Sequence, residues 1–201
     1  MNLVYIHGAK ATSNSFNYIR TQIKNYNEIV LSYNSDKQFY DNLMDMISLI
    51  EKTILDKDTL FFVAHSLGGI YAVHLADYFR VATVGGCTIS TPYNGSHHAM
   101  YLKYLTMFSS NKSFLLNDIT PYSEPIVEVN KIKLAVPWTN IVTLGCNIPL
   151  FGEPNDGVVT VKSMKYKKNI QLLEIDSGHF EVLLSPVAVG HIKNMLHNIN
   201  K

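Results

Sequence analysis

Ala64-His65-Ser66-Leu67-Gly68-Gly69 follows directly on the apolar run Thr59-Leu60-Phe61-Phe62-Val63 and leads at once into Ile70-Tyr71-Ala72-Val73-His74-Leu75-Ala76. A β-type run ends at a serine, with a small residue two positions before it and another two after, and a helical pattern begins with no intervening loop. This is the strand–turn–helix context that presents a serine on a sharp turn. The flanking positions have to be small because strand and helix close around the turn. Backbone strain of this kind costs on the order of 1–3 kcal/mol and persists mainly where it serves function. A serine hydroxyl is a weak nucleophile at neutral pH, so a base and an acid to orient that base must come from elsewhere in the chain.

Outward from this turn, short apolar runs alternate with longer helical patterns, the signature of a repeated βα unit and a parallel sheet. Strands are predicted near 3–7, 28–33, 59–65, 81–89, 138–145 and 169–175, and helices near 14–26, 37–55, 66–79, 123–132 and 185–199. The strand runs are near-continuously apolar, as for strands covered on both faces. In the second helix Phe39, Leu43, Met46, Ile47, Ile50 and Ile54 recur at three- and four-residue steps, and Asp36 is its predicted N-cap. The fold class is α/β: a doubly wound, mostly parallel six-stranded sheet in a single domain, 1–201. Only 91–122 breaks the rhythm. It is read as a small lid or cap insertion, dense in Met and aromatic residues between His97 and Phe108. Met100, Tyr104, Met107 and Phe108 are its predicted substrate contacts, and His97 and His98 are read as surface residues.

The 201 residues are 47% hydrophobic and 16% charged, the latter below the roughly 25% usual for soluble domains, which points to a well-filled interior or an apolar surface patch. A net charge of +1 gives no footprint for nucleic acid. The basic run Lys165-Tyr166-Lys167-Lys168 reads as a solvated turn. Cys87 and Cys146 read as reduced core residues without metal-site spacing. No apolar run approaches the 18 or so residues of a membrane span. Leu3-Val4-Tyr5-Ile6-His7 is already a strand, with no cleavable leader ahead of it. A cytoplasmic protein with no integral membrane segment is expected.

In a doubly wound sheet the partners of the serine come from the carboxyl ends of later strands, in the order Ser, acid, His. His179, in Asp176-Ser177-Gly178-His179-Phe180 after the last strand, is the predicted base. Asp156, in Asn155-Asp156-Gly157-Val158-Val159, is the predicted acid. Glu153 and Asp176 compete, but Asp176 is too near His179 in sequence for the usual geometry. The oxyanion of acyl transfer needs two backbone N–H donors. Leu67 supplies one at a helix N-terminus. Ala9, after Gly8 in the first loop, supplies the other. His7 is expected to brace that loop, and His65 to pack beside the turn.

The chain resembles α/β-hydrolases, and within them the compact lipase and esterase families. Four stretches carry the resemblance: Tyr5-Ile6-His7-Gly8; Ala64-His65-Ser66-Leu67-Gly68-Gly69; Ser90-Thr91-Pro92-Tyr93-Asn94-Gly95-Ser96; and Asn155-Asp156-Gly157-Val158-Val159 with Ser177-Gly178-His179. The third is similar to the point where a lipase chain leaves the sheet to begin its lid. The fourth is similar to the acid loop of bacterial triacylglycerol lipases. Ala64 stands where most of the superfamily has glycine, and Ala11 where the His-Gly-x-x-Gly pattern has its second. The structural calcium of some bacterial lipases is not carried over, for want of a carboxylate cluster. The resemblance implies an α/β-hydrolase sheet and a cofactor-free serine hydrolase active on a small-molecule or lipid ester, short to medium in acyl chain, with a place in lipid metabolism. Ser66, His179 and Asp156 are then its catalytic triad. An acyltransferase or thioesterase would share the first half-reaction, and a non-catalytic binding module is the reading from another class.

Overall fold

The computed structural model describes residues 1–34, 36–96, 117–146 and 148–201. Six strands, β1 (Asn2–Ile6), β2 (Asn27–Leu31), β3 (Leu60–His65), β4 (Thr83–Ile89), β5 (Trp138–Thr143) and β6 (Gln171–Ile175), form one sheet. Its order is β2-β1-β3-β4-β5-β6, and every pairing is parallel. The helices are α1 (Asn17–Gln22), α2 (Phe39–Thr53), α3 (Leu67–Tyr78), α4 (Glu124–Lys131), α5 (Val161–Met164) and α6 (Pro186–Ile199).

The strand residues divide between two cores, because successive side chains point to opposite faces. Val4, Ile6, Phe62 and Ala64 pack with α2, α3 and α4. Leu3, Tyr5, Phe61 and Val63 pack with α1 and α6. In β1 and β3 every residue is buried. At about 1.5–3 kcal/mol for each large apolar side chain removed from water, these two adjacent interior strands help anchor the domain. The edges differ from the expectation of strands covered on both faces. In β6, Gln171, Leu172 and Glu174 are exposed, and the edges carry the ion pairs Arg20–Glu28 and Lys165–Glu174. Charge on an edge discourages further strand pairing.

Three local expectations change. Asp36 does not cap α2: the N-cap is Gln38, which makes no side-chain capping bond. The turn is organised from inside the helix by buried Asn42. Its Nδ2 donates to the Asn34 and Gln38 carbonyls at 2.9 and 3.3 Å, and its Oδ1 accepts from Asn34 N–H at 2.9 Å. The basic run is not wholly solvated either. Lys167 is 4% exposed, and its Nζ donates to the carbonyls of Val129 and Ile132 at the end of α4, at 2.6 and 2.9 Å. Burial pushes its pKa down to about 8. Cys87 is a buried free thiol as expected, but Cys146 is only half-buried, on the loop after β5.

The strand order fixes where a site can form. The connection from β1 leads to β2 on one side, and that from β3 leads to β4 on the other. The loops leaving the carboxyl ends of these adjacent strands diverge and open a crevice. Those loops carry Gly8-Ala9 and Ser66.

Candidate active site

Ser66 occupies the turn between β3 and α3 with φ 53° and ψ −126°, a conformation that a residue with a side chain rarely adopts. It is held there from both sides. Its N–H donates to Ile89 O at 2.8 Å, and its carbonyl accepts from Gly69 N–H at 2.9 Å. The small residues two positions either side have the predicted purpose. Ala64 is fully buried. A methyl group on Gly68 would strike the carbonyl oxygens of Ile6 and His7, and one on Gly69 would strike the Thr91 side chain. Glycine at 68 therefore lets α3 start against the end of β1.

The loop after β1 comes equally close. A Cβ on Gly8 would lie 2.8 Å from His65 Nδ1 and 3.0 Å from Ser66 Cβ. His7 is 5% exposed, stacks on Tyr33 with ring centroids 4.6 Å apart, and its Nδ1 bonds Gly8 O at 2.8 Å. It braces the loop as expected. The missing second glycine is accommodated because Lys10 itself takes positive φ, 55°, and Ala11 N–H closes the turn on Gly8 O at 3.2 Å. Ala9 and Leu67 both line the cavity beside Ser66.

His179 and Asp156, 3% and 2% exposed, meet across 23 positions of sequence through His179 Nδ1 and Asp156 Oδ2 at 2.7 Å. Because a carboxylate only accepts, Nδ1 carries the proton of the neutral ring, and Nε2 is left as its basic nitrogen. The His179 N–H also donates to Asp156 O at 3.1 Å. Asp156 Oδ1 accepts from the N–H groups of Val158 and Val159 at 3.0 and 2.8 Å, and Oδ2 accepts a second bond, from Thr143 Oγ1, at 2.5 Å. Burial pushes the carboxyl pKa up. The hydrogen bond and charge of His179, with the bonds from Thr143 and Val159, outweigh it and hold the group below the usual carboxylate range. The neighbours of Asp156 shape its loop. Asn155 Oδ1 accepts from Gly157 and Ile148 N–H at 3.0 and 3.1 Å, and Gly157 takes φ 94°. Of the competing acids, Asp176 is exposed and Glu153 is half-buried.

His65 does more than pack. Fully buried, its Nε2 bonds the His179 carbonyl at 2.9 Å, and the two rings lie 4.7 Å apart. Burial first, then the charge of His179, pushes its pKa down to about 3, so it is a neutral ring whose Nε2–H donates. The sequence reading also missed Thr143 and Ser90. Each is a buried hydroxyl at the carboxyl end of a strand, Thr143 closing β5 and Ser90 just past β4. Polar residues are common along both strands, so nothing in the sequence singles these two out.

Ser66 and His179 share one cavity, whose other walls include Pro92, Ile119, Val158, Val159 and Phe180, and no Lys, Arg, Asp or Glu among the described residues. Ser96, another wall residue, donates its N–H to Ile119 O at 2.7 Å. Met100, Tyr104, Met107 and Phe108, with His97 and His98, lie outside the described residues. A wider groove of about 460 Å³ near Lys24, Lys193 and His197 has no serine among its described lining residues. Among the described residues no group of three or more His, Cys, Asp or Glu is placed to hold a metal ion, and no helix is long and apolar enough to cross a membrane.

No family model and no curated protein matches the chain by sequence. Solved structures do match it by shape. A Bacillus licheniformis lipase in its mature form superposes with a TM-score of 0.75 at 17% identity, over 97% of this chain and 91% of the lipase. A metagenomic carboxyl esterase gives 0.75 at 13% identity, over 100% of this chain and 76% of its own. The chain has the α/β-hydrolase fold. Within that fold the six parallel strands are the central sheet, and the turn at Ser66 closes one of its innermost strands, β3. Naproxen esterase from Bacillus subtilis shares the hydrolase fold too, with a TM-score of 0.64 at 13% identity, over 98% of this chain and 83% of the esterase.

Proposed function

We propose that this α/β-hydrolase-fold chain is a serine hydrolase of carboxylic esters. The observation that carries the reading is the buried His179–Asp156 pair, bonded at 2.7 Å, with His179 lining the same cavity as a strained serine. The hydrolase-fold neighbours named as lipases and esterases support the same class of chemistry.

In this mechanism Ser66 Oγ attacks the ester carbonyl carbon while His179 Nε2 takes its proton, and Asp156 stabilises the imidazolium that results. The N–H groups of Ala9 and Leu67 receive the oxyanion, the second helped by the positive end of the α3 dipole. The tetrahedral species collapses as His179 returns the proton to the departing alkoxide. Water, deprotonated by the same nitrogen, then releases the acyl group from Ser66. The uncharged, largely aliphatic walls fit an uncharged acyl chain of short to medium length. Met100, Tyr104, Met107 and Phe108 belong to this proposal as further apolar contacts.

The test is initial-rate hydrolysis of p-nitrophenyl esters from acetyl to palmitoyl, wild type beside Ser66→Ala, with fluorophosphonate labelling in parallel. Turnover and labelling that both vanish in the variant are expected. A folded wild type that neither turns over any ester nor takes the label sinks the proposal.

A further inference from the structure

Thr143 is the last residue of β5 and Ser90 is the first residue after β4, and both are fully buried. The Thr143 hydroxyl donates to Asp156 Oδ2 at 2.5 Å. With its single hydrogen engaged there, the 2.9 Å contact between Ser90 Oγ and Thr143 Oγ1 has to run the other way, Ser90 donating and Thr143 accepting. Ser90 reaches this position through a left-handed backbone, φ 52°, secured by its N–H on Ile141 O at 2.8 Å.

We propose that Thr143 and Ser90 are positioning residues for the acid, a directed chain of hydroxyls that fixes which oxygen of Asp156 faces His179. The inference rests on the reading of Asp156 as the acid. Asp156 sits on a loop 13 positions beyond the strand end where Thr143 stands, so the sheet does not orient its side chain directly. The four donors on the carboxylate divide two and two: backbone N–H groups on Oδ1, and Thr143 with His179 on Oδ2. Without Thr143, Oδ2 would have His179 alone, and the carboxylate plane would lose its tie to the sheet. A buried threonine that merely needed a partner had another available, since Met164 Sδ lies 3.4 Å from its hydroxyl. The titratable groups around the acid are His179, His65 on the far side of His179, and Cys146, whose backbone bridges to Asp156 and whose sulfur lies beside Gly157.

The experiment is the pH dependence of kcat and KM on one p-nitrophenyl ester for wild type, Thr143→Val, Thr143→Ser, Ser90→Ala, and the Thr143→Val/Ser90→Ala pair. One donor fewer makes the carboxylate more basic, so the Asp156–His179 pair keeps its proton to higher pH. Thr143→Val should lower kcat about tenfold with little change in KM, and should move the acid limb of the profile upward. Thr143→Ser should restore both. Ser90→Ala should move the limb the same way by less, and should add nothing to Thr143→Val. If Thr143→Val does not fold, the limb of Ser90→Ala decides. Limbs that stay at the wild-type pH in an enzyme that Asp156→Asn inactivates overturn the positioning role and leave ester hydrolysis standing. Turnover that survives Asp156→Asn removes the acid from the reading, and this inference with it.

Discussion

Replacing Asp156 by asparagine changes one atom and should disable the site through the tautomer of its neighbour. The Val158 and Val159 N–H groups point at Oδ1, at 3.0 and 2.8 Å, and being donors they need an oxygen there. The asparagine amide must therefore place its oxygen on the loop and its NH2 where Oδ2 was, facing Thr143 and His179. The Thr143 hydroxyl can turn its hydrogen away and accept. His179 Nδ1 has to accept as well, which moves the ring proton to Nε2. A protonated Nε2 cannot take the proton of Ser66. A tautomer fault of this kind costs about 10⁴ in kcat, or about 5.4 kcal/mol of transition-state stabilisation. The loop keeps most of its bonds, so the circular dichroism spectrum should be unchanged. The assay is ester turnover together with the rate of fluorophosphonate labelling, which isolates the first proton transfer. Turnover by Asp156→Asn within tenfold of wild type would refute the reasoning, since no route to a neutral Nε2 acceptor remains in the described geometry.

The same pair has a pH signature in stability. The folded pKa of Asp156 lies below its ordinary 3.8, so its contribution is present above that pH and is lost as pH falls through the folded value; in urea melts wild type should lose ground to Asp156→Asn below about pH 3.8. Lys167 behaves in the opposite range. Its pKa falls from 10.5 to about 8 on folding, so the unfolded chain binds more protons between those values, and wild type should gain stability relative to Lys167→Met as pH rises from 8 to 10.5. The strain at Ser66 predicts that Ser66→Gly, equally inactive, melts above Ser66→Ala by roughly 1 kcal/mol; equal melting would mean the turn stores nothing. At the start of α2, Asn42→Ala should cost about 1–3 kcal/mol by leaving buried backbone groups unpaired, while Asp36→Ala should fall within about 0.5 kcal/mol of wild type.

What could be read from the sequence was what depends on neighbours along the chain. The turn at Ser66 was legible because its steric demands act at positions 64, 68 and 69. The acid loop was legible because Asn155 and Gly157 each serve the backbone within a few residues. Thr143 and Ser90 were not. They are bonded to each other across 53 positions, and a hydroxyl in a strand carries no local sign of what it will meet. His65 was placed beside the turn but its partner was hidden, since the His179 carbonyl arrives from 114 positions away. Asp36 was misread because capping was judged by residue type, whereas Asn42 reaches back and satisfies the turn. Lys167 was misread as one lysine among three, when only its side chain has the two α4 carbonyls within reach.

The fastening at Ser96 and Ile119 has a consequence for how such a fold can diversify. The described chain on either side of 97–116 is joined by a backbone hydrogen bond, beside Gly95, whose φ of 67° and contact with Pro121 leave no space for a side chain. Ser163 ties the loop at Gly95 to α5, its hydroxyl donating to Gly95 O at 2.6 Å. The two ends are thus at a fixed separation that owes nothing to the number of residues between them. Whatever is spliced between them can lengthen, shorten or change character while Ser66, His179 and Asp156 keep their mutual distances. Sequence change between the two ends is then mechanically separate from sequence change around Ser66, His179 and Asp156.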